Sequence, residues 1–210
     1  MARFAFPDPL YPIADAVAGR DMLSLVEAVV AGGARLVQLR AKDMPSGELV
    51  ELARAVKLCA ERAGARLIVN DRADVARLVG AAGVHLGQQD LPPDAARAIV
   101  GPDAVVGLST HNAAQLDAAL RAGGIDYVAF GPIFATASKR DADPVQGLAN
   151  LAAARARCRL PLVAIGGIDR RTIAAVLASG VDAAAVIGAI AGADDAAAAT
   201  RDLLAAARGA

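Results

Sequence analysis

The chain has 210 residues, enough for one domain with a sizeable hydrophobic core. Hydrophobic residues make up 56% of it and aromatic residues only 3%, so aliphatic side chains must build the interior, as in a helix-rich α/β protein. Lys and Arg balance Asp and Glu at 22 each, so no overall charge favours nucleic acid or an acidic membrane surface. Any anion must be bound locally.

The cysteines and the apolar runs predict a cytoplasmic protein. Cys59 and Cys158 lie far apart without a CxxC motif, which indicates two packed thiols rather than a disulfide or a thiolate metal site. The first ten residues show no basic segment followed by a long apolar one, so a secretory signal is not expected. The longest uncharged apolar run, Ala183–Ala193, is shorter than the ~20 residues that cross a bilayer.

Short apolar segments alternate with helical ones along the whole chain. Eight strands are predicted, at Leu10–Ala14, Leu36–Arg40, Leu67–Val69, Val84–Leu86, Val105–Ser109, Tyr127–Phe130, Leu160–Ile165 and Ala183–Ile187. The predicted helices are Leu23–Ala31, Ser46 to about Ala63, Ala73–Val79, Pro93–Val100, Ala113–Ala122, Leu148–Arg157, Thr172–Ser179 and Asp194–Ala207.

This repeat predicts the fold. Strands that are apolar on both faces and alternate with helices favour a parallel sheet. Eight such units in residues 1–210 predict a single-domain (β/α)₈ barrel, the TIM barrel architecture. An open, doubly wound sheet is the alternative, although no GxGxxG motif follows the first strand, which disfavours a dinucleotide-binding version.

The stretch Leu67–Leu91 places two carboxylates at neighbouring strand ends. Asp71 follows the third strand and Asp90 follows the fourth after a short loop. Consecutive strands joined by a helix run parallel with a right-handed crossover, so their carboxyl ends lie side by side. Two carboxylates there can share a hard cation such as Mg²⁺. Alternatively, Asp71 caps the next helix and Asp90 is a turn residue.

The second strand carries polar residues of one parity towards its carboxyl end. In the run LVQLRAK, period-two alternation places Gln38, Arg40 and Lys42 on one side. An Arg with a Lys is suited to clamp a phosphate or pyrophosphate. A solvated, charged strand end is the alternative, but Gln38 lies within the apolar run and needs a hydrogen-bond partner.

Other strand ends supply further candidates. Asn70 ends the third strand, and Ser109 with Thr110 at the end of the fifth either bind a ligand or cap the next helix. His85 is expected to be a hydrogen-bonded core residue, and His111 is expected to belong to that helix cap.

Loops and glycines complete the predicted barrel mouth. The loop Gly131–Gln146 contains two hydroxyls, a Lys and an Arg, which suits a phosphate-binding lid or, alternatively, a solvated loop with incidental charge. Gly166 and Gly167 follow the seventh strand and Gly188 follows the eighth, where backbone N–H groups commonly bind phosphate in barrels. The alternative is that these glycines only permit tight turns.

The predicted mouth therefore combines two anion sites with one metal site. No Ser-His-Asp order and no cysteine nucleophile is recognised. This pattern suits the joining of two small phosphorylated substrates with pyrophosphate as the leaving group.

The motifs QLRAK, IVNDRAD, GVHLGQQDLP, GLSTHN, YVAFGPIFATASK and VAIGGI follow one another between about Leu10 and Ala191. Together they resemble the thiamine phosphate synthase family. The resemblance implies a (β/α)₈ barrel that couples 4-amino-2-methyl-5-hydroxymethylpyrimidine diphosphate to a hydroxyethylthiazole phosphate, plain or carboxylated. Related tautomerases lack the metal carboxylates and carry a His where this chain has Pro132. A tautomerase and a non-catalytic barrel that binds thiamine precursors are the alternatives.

The resemblance also implies roles for individual residues. The pyrimidine diphosphate would be held by Gln38, Leu39, Arg40, Ala41, Lys42, Asn70, Ser109 and Lys139. The thiazole phosphate would be held by Thr136, Ala137, Ser138, Gly167, Ile187 and Gly188, and Mg²⁺ by Asp71 and Asp90. The chain departs from the family pattern at Ser138, usually Thr, and at Gly188, usually Ser.

In the coupling that the resemblance implies, a bond forms between the pyrimidine methylene carbon and the thiazole nitrogen. This step needs no general base, because the thiazole nitrogen already has a lone pair. Departure of pyrophosphate sets the barrier, so Arg40, Lys42 and Lys139 are the candidate catalytic groups, and a dissociative path is expected. Phe130 and Ile133 are expected to form an apolar wall that shields the cation from water. The sequence leaves open whether the chain forms a homo-oligomer.

Overall fold

The computed structural model describes residues 4–16, 20–136 and 143–209. Its eight strands pair in sequence order, each parallel to the next, and the first strand closes the barrel by pairing with the last. The predicted (β/α)₈ barrel is therefore confirmed, and the open sheet is excluded. The predicted ligands Ala137, Ser138 and Lys139 lie outside the described residues.

The strands are β1 (Leu10–Asp15), β2 (Leu36–Arg40), β3 (Arg66–Asn70), β4 (Gly83–Leu86), β5 (Val105–Thr110), β6 (Tyr127–Phe130), β7 (Leu162–Ile165) and β8 (Ala183–Val186). The helices in the described residues are α1 (Met22–Ala31), α2 (Ser46–Arg62), α3 (Ala73–Val79), α4 (Pro93–Val100), α5 (Ala113–Ala122), α6 (Gly147–Arg157), α7 (Ile173–Leu177), α8 (Gly188–Ala191) and α9 (Ala196–Arg208).

Local signals set most of these boundaries. Asp21, Asn112 and Asp195 cap α1, α5 and α9 by accepting a hydrogen bond from a backbone N–H of the first turn. Gly80 ends α3 in the left-handed conformation. The main differences from prediction are that β1 continues to Asp15 and that the short helix α8 precedes the terminal helix.

The core has two layers, separated by the strands. Side chains of one strand parity pack outward against the helices in a large aliphatic cluster, which contains Val37, Leu39, Val69 and Val128. Side chains of the other parity fill the barrel interior, which contains Tyr11, Ile13, Leu36, Ile68, Val105, Tyr127, Ala129, Val163, Ala183 and Ala185. Phe4 and Phe6 pack against this inner cluster from the N-terminal segment.

The inner cluster requires a glycine on β5. A Cβ atom at Gly107 would lie 2.1 Å from Cζ of Tyr127, so only glycine leaves room for that ring. Tyr127 thus fills space inside the barrel that a side chain at position 107 of β5 would otherwise occupy.

The structure also bears on two minor predictions. Within the described residues Cys59 and Cys158 form no disulfide, and Cys158 is buried, as expected of a packed thiol. Within the described ranges, no helix is both long and apolar enough to cross a membrane.

Candidate active site at the carboxyl ends of the strands

The carboxyl ends of β1 to β5 bring most of the predicted polar residues to one mouth. Gln38 points into the barrel and is 1% exposed, and its amide nitrogen donates a 2.9 Å hydrogen bond to the hydroxyl of Tyr11. The partner that the buried amide requires is therefore a tyrosine on the neighbouring strand.

Arg40 ends β2 next to Asp15, which ends β1. The Arg40 guanidinium donates to the buried Asp15 carboxylate, which holds one edge of the guanidinium group in place. A guanidinium has five N–H donors, and the remaining ones can serve an anion. Lys42 is half exposed, and its Nζ lies 3.3 Å from Oδ2 of Asp71.

The predicted metal residues Asp71 and Asp90 are in side-chain contact. Burial, together with the hydrogen bond and negative charge of Asp90, raises the pKa of Asp71 to about 6 against the opposing effect of Lys42. Two carboxylates this close repel one another, and one lysine only partly compensates. A cation would relieve that repulsion.

The backbone around both aspartates is specialised. Asp71 has a φ of 62°, the only positive φ among the described residues other than glycine, and its N–H donates to the carbonyl of His85 on β4. Asp90 folds back so that Oδ2 accepts a 2.7 Å hydrogen bond from the N–H of Gly87, where a Cβ would lie only 2.9 Å from that oxygen. Such left-handed strain outside glycine is found at functional sites.

Side chains at the ends of β3, β4 and β5 line the mouth next to the two aspartates. Asn70 is in register with His85, and His85 bonds Ser109 through Nε2 at 2.9 Å. Gln88 donates a 2.6 Å hydrogen bond to the carbonyl of Ser109, which fastens the β4 loop to the end of β5. His85 is 6% exposed, so its prediction as a hydrogen-bonded core residue is confirmed.

The prediction that His111 belongs to the cap of the helix after β5 is confirmed, but neither Ser109 nor Thr110 is the cap residue. Asn112 is the N-cap of α5, and the N–H of His111 donates to the side chain of Gln115 in its first turn. Thr110 donates to the carbonyl of Ala129 and is fully buried, so it is not at the mouth.

The turns after β6 and β7 are packed so closely that only glycine fits at Gly131, Gly166 and Gly167. A Cβ at Gly131 would lie 2.0 Å from the carbonyl oxygen of Ile165. Gly166 and Gly167 have φ of 105° and 64°. A Cβ at Gly167 would lie 2.4 Å from the carbonyl oxygen of Ala135, so this turn and the loop after β6 are in contact.

The turn after β8 has a different conformation. Gly188 is the first residue of α8 and lacks a positive φ. Ile187 precedes it as the N-cap residue and packs against the inner cluster. Thr136 is half-buried in the loop after β6.

Two side-chain predictions need correction. Phe130 and Ile133 are fully buried in the outer cluster, so they cannot form an apolar wall over the mouth. The inward parity of β6 belongs to Tyr127 and Ala129, which turns Phe130 towards the helices. The apolar residues that face inward near the strand ends are Ile13, Ile165 and Ile187. Leu39 likewise packs outward, so only its backbone can reach a ligand.

Sequence reasoning missed four residues that position the predicted ones. They are Asp15 beside Arg40, Tyr11 and Tyr127 inside the barrel, and Gln88, which lies in the loop after β4 and bonds the end of β5. In the run LYPIAD, period-two alternation places Tyr11, Ile13 and Asp15 on one face of the strand. This alternation was the available signal for Tyr11 and Asp15.

Comparison with known proteins assigns the family. A sequence model described as thiamine monophosphate synthase matches residues 10–190. The chain belongs to the thiamine monophosphate synthase family. It is a transferase of thiamine biosynthesis, as its resemblance to thiamine phosphate synthase implied.

Individual members of the thiamine monophosphate synthase family support this. The thiamine-phosphate synthase of Laribacter hongkongensis is 49% identical over 184 residues, which cover 88% of this chain and 86% of that protein. The thiamine-phosphate synthase of Moorella thermoacetica is 47% identical over 164 residues, covering 77% and 76%. A solved thiamine phosphate pyrophosphorylase from Pyrococcus furiosus superposes with a TM-score of 0.87 at 34% identity and covers 95% of both chains.

Proposed function

We propose that the enzyme couples an aminopyrimidine methyl diphosphate to a thiazole phosphate and releases pyrophosphate. The observation that supports this most is the cluster at the ends of β1 to β4. There Arg40 pairs with Asp15, Lys42 lies 3.3 Å from Asp71, and Asp71 is in contact with Asp90. A diphosphate needs both cationic side chains and a divalent cation to leave, and this mouth offers donors for each.

The proposed cation is Mg²⁺, held by Asp71 and Asp90. Mg²⁺ is usually bound by one or two carboxylates together with substrate phosphates and water, rather than by an all-protein cage. The contacting pair fits that pattern. In the described part of the chain no group of three or more His, Cys, Asp or Glu side chains is placed for a metal. When bound, the ion neutralises charge on the diphosphate.

The chain's own residues would supply the rest of the catalysis. Arg40, fixed by Asp15, and Lys42, beside Asp71, would bind the diphosphate and stabilise the charge that grows on it as the C–O bond breaks. Lys139 is proposed for the same role from the family motif. Gln38, Asn70 and Ser109, with the backbone of Leu39 and Ala41, would orient the pyrimidine ring.

The thiazole phosphate is proposed to lie against the turns after β7 and β8. Gly167, Ile187 and Gly188 would offer backbone N–H groups, and Thr136, Ala137 and Ser138 would help to hold the phosphate. The contact between Gly167 and the loop after β6 supports a shared site. No proton has to leave the attacking nitrogen, so no side chain is assigned as a general base.

The test is release of pyrophosphate by the purified protein from both substrates with Mg²⁺. Release that requires both substrates supports the synthase. Isomerisation of the thiazole phosphate alone would instead indicate the tautomerase, and binding of both precursors without reaction would indicate a binding barrel. Asp71, Asp90 and Pro132 are all present, which favours the synthase over the tautomerase pattern.

The metal assignment has its own test. Asp71→Asn and Asp90→Asn should each raise the Mg²⁺ concentration for half-maximal activity at least about tenfold, because even indirect partners of a metal ligand are worth 10- to 100-fold. Asp74→Asn is the matched control, since Asp74 lies nearby but pairs with Arg72 on the surface. An unchanged Mg²⁺ requirement in both variants would show that Asp71 and Asp90 do not bind the metal.

Location and assembly extend the same proposal. The substrates are multiply charged phosphates that do not cross membranes unaided, which supports action in the cytoplasm. Neither nucleic acid nor a membrane is proposed as a partner, and a homo-oligomer would have to leave the mouth of the barrel open.

A further inference from the structure

A continuous chain of hydrogen bonds crosses the barrel interior from Gln38 to Ser109. Gln38 Nε2 donates to the Tyr11 hydroxyl at 2.9 Å, and the Tyr11 and Tyr127 hydroxyls are 3.1 Å apart. The Tyr127 hydroxyl lies 2.8 Å from Nδ1 of His85, and Nε2 of His85 lies 2.9 Å from the Ser109 hydroxyl. The chain thus joins two residues that the proposed function places on the pyrimidine ring.

With the Gln38 amide nitrogen facing Tyr11, the hydrogens of this chain point in one direction. Within the part of the protein that the structure describes, the Tyr11 hydroxyl bonds only Gln38 and Tyr127. It accepts from Gln38, so its single hydrogen must go to Tyr127. The Tyr127 hydrogen must then go to Nδ1 of His85, which makes Nδ1 an acceptor and leaves the imidazole proton on Nε2. Nε2–H in turn donates to Ser109.

The surroundings keep this arrangement in place. Tyr11 and Tyr127 are almost fully buried, and burial raises the pKa of both phenols, so each keeps its hydrogen. The imidazole of His85 stacks on the Tyr127 ring with centroids 5.4 Å apart. Gly107 makes room for that ring, as described above. With the Gln38 amide in this orientation, a reversed chain would leave the Tyr11 hydrogen buried without an acceptor, which is costly.

We infer that Tyr11, Tyr127 and His85 are positioning residues that set the hydrogen-bonding roles of Gln38 and Ser109. Because Ser109 accepts from Nε2–H, its own hydrogen is available to donate to a ligand. Because Gln38 gives its amide nitrogen to Tyr11, its carbonyl oxygen is available to accept. The mouth thereby presents a fixed donor and a fixed acceptor, which matches a ring that bears both an amino group and a ring nitrogen. This last match rests on the proposed function.

The direct test is the tautomer of His85 in the substrate-free protein. The chain has two histidines, so a ¹⁵N-histidine-labelled sample gives two imidazole spin systems, and His111→Gln assigns them. At about pH 8, above the usual histidine pKa of about 6.5, His85 should be in the Nε2–H form. His111 should show the opposite form, because its Nδ1 lies 2.9 Å from the carbonyl of Gly131, which can only accept. An Nδ1–H form of His85, or a mixture, would overturn the inference.

The kinetic test asks whether the chain acts through Ser109. Tyr127→Phe removes one hydroxyl and should lower kcat/KM for the pyrimidine diphosphate about three- to tenfold, the value of one net hydrogen bond. In a Ser109→Ala background the same change should have a smaller effect, because only the part that acts through Gln38 remains. An equal fall in both backgrounds, or no fall in either, would overturn the inference.

Thr110→Val is the matched control for loss of a buried hydroxyl on β5. Its hydroxyl donates to the backbone carbonyl of Ala129 and is not part of the chain from Gln38 to Ser109, so kcat/KM should be retained. If Tyr127→Phe does not fold, the tautomer of the parent protein still decides the question. If the parent protein releases no pyrophosphate, the proposed function fails, whereas the tautomer measurement remains decisive for the chain of hydrogen bonds.

Discussion

At the scale of single residues, the buried carboxylate of Asp15 determines how Arg40 is presented. Asp15 is 2% exposed and lies beside Arg40 in the β1–β2 register. A buried carboxylate keeps its charge only when paired, so the two residues stabilise each other. Arg40 is therefore held before substrate arrives, which reduces the entropy lost when the diphosphate binds.

Asp15→Asn should consequently lower kcat/KM about ten- to a hundredfold, since a misplacement of about 1 Å can cost that much. The measurement is steady-state kinetics on protein whose fold is checked by circular dichroism. Asp117→Asn, which breaks the outer Asp117–Arg157 pair, is the matched control and should retain full activity. A folded Asp15→Asn protein with parental kcat/KM would show that Arg40 needs no support.

At the scale of elements, the short helix α8 decides what a side chain at position 188 can do. Gly188 has helical geometry rather than a positive φ, so a serine there meets no left-handed strain. Gly188→Ser would restore the hydroxyl that the family usually has. It should lower the KM for the thiazole phosphate up to about tenfold, the value of a hydrogen bond to a charged group.

Turnover of Gly188→Ser should stay nearly unchanged, because the phosphate is remote from the reacting nitrogen and binds alike in ground and transition states. Thermal unfolding separates binding from damage to the fold. Parental stability with an unchanged or higher KM would show that the phosphate does not lie against this turn.

A second element-scale prediction concerns the packing of β5 against β6. Gly107→Ala places a methyl group 2.1 Å from Tyr127 Cζ, so either the buried ring or the strand must shift. We expect a loss of about 1–3 kcal/mol of unfolding free energy, as in other overpacked cores. Gly47→Ala is the control, because nothing lies within 4 Å of its Cβ in α2, and it should be neutral or slightly stabilising. Equal stability of the two variants would contradict this packing.

At the scale of the whole molecule, Asp8 ties the start of the barrel to its end. The carboxylate is almost fully buried and accepts hydrogen bonds from Arg35, before β2, and from Arg208, at the end of α9. Burial alone would raise the pKa of Asp8, but the hydrogen bonds from Arg35 and Arg208 outweigh it, so the folded-state pKa lies below the ordinary value of 3.8.

A carboxylate with a depressed folded-state pKa stabilises the fold fully above its unfolded pKa, and that contribution disappears as the pH falls through the folded value. Asp8→Asn should therefore cost about 1–2 kcal/mol near neutral pH, with the difference from the parent shrinking below about pH 4. Denaturant unfolding at several pH values measures it. A difference that grows towards acid pH would contradict the assigned sign.

The sequence by itself determined the order of elements and the location of the chemistry. Alternation of apolar strands with capped helices is a local property, so eight βα units were readable without any long-range information. Parallel strands place their carboxyl ends at one mouth, which is why Asp71 and Asp90 could be paired before the structure was known. Their contact in the structure also depends on the left-handed backbone of Asp71 and on the turn that folds Asp90 back onto Gly87.

Only the tertiary structure decided which polar groups meet across the barrel and which parity of each strand faces inward. Tyr11 and Tyr127 lie on β1 and β6, which are not neighbours, so their contact depends on closure and on the space left by Gly107. The outward position of Phe130 depends on strand register in the same way. Strand pairing and barrel diameter arise from all eight strands together, and no local stretch of sequence encodes them.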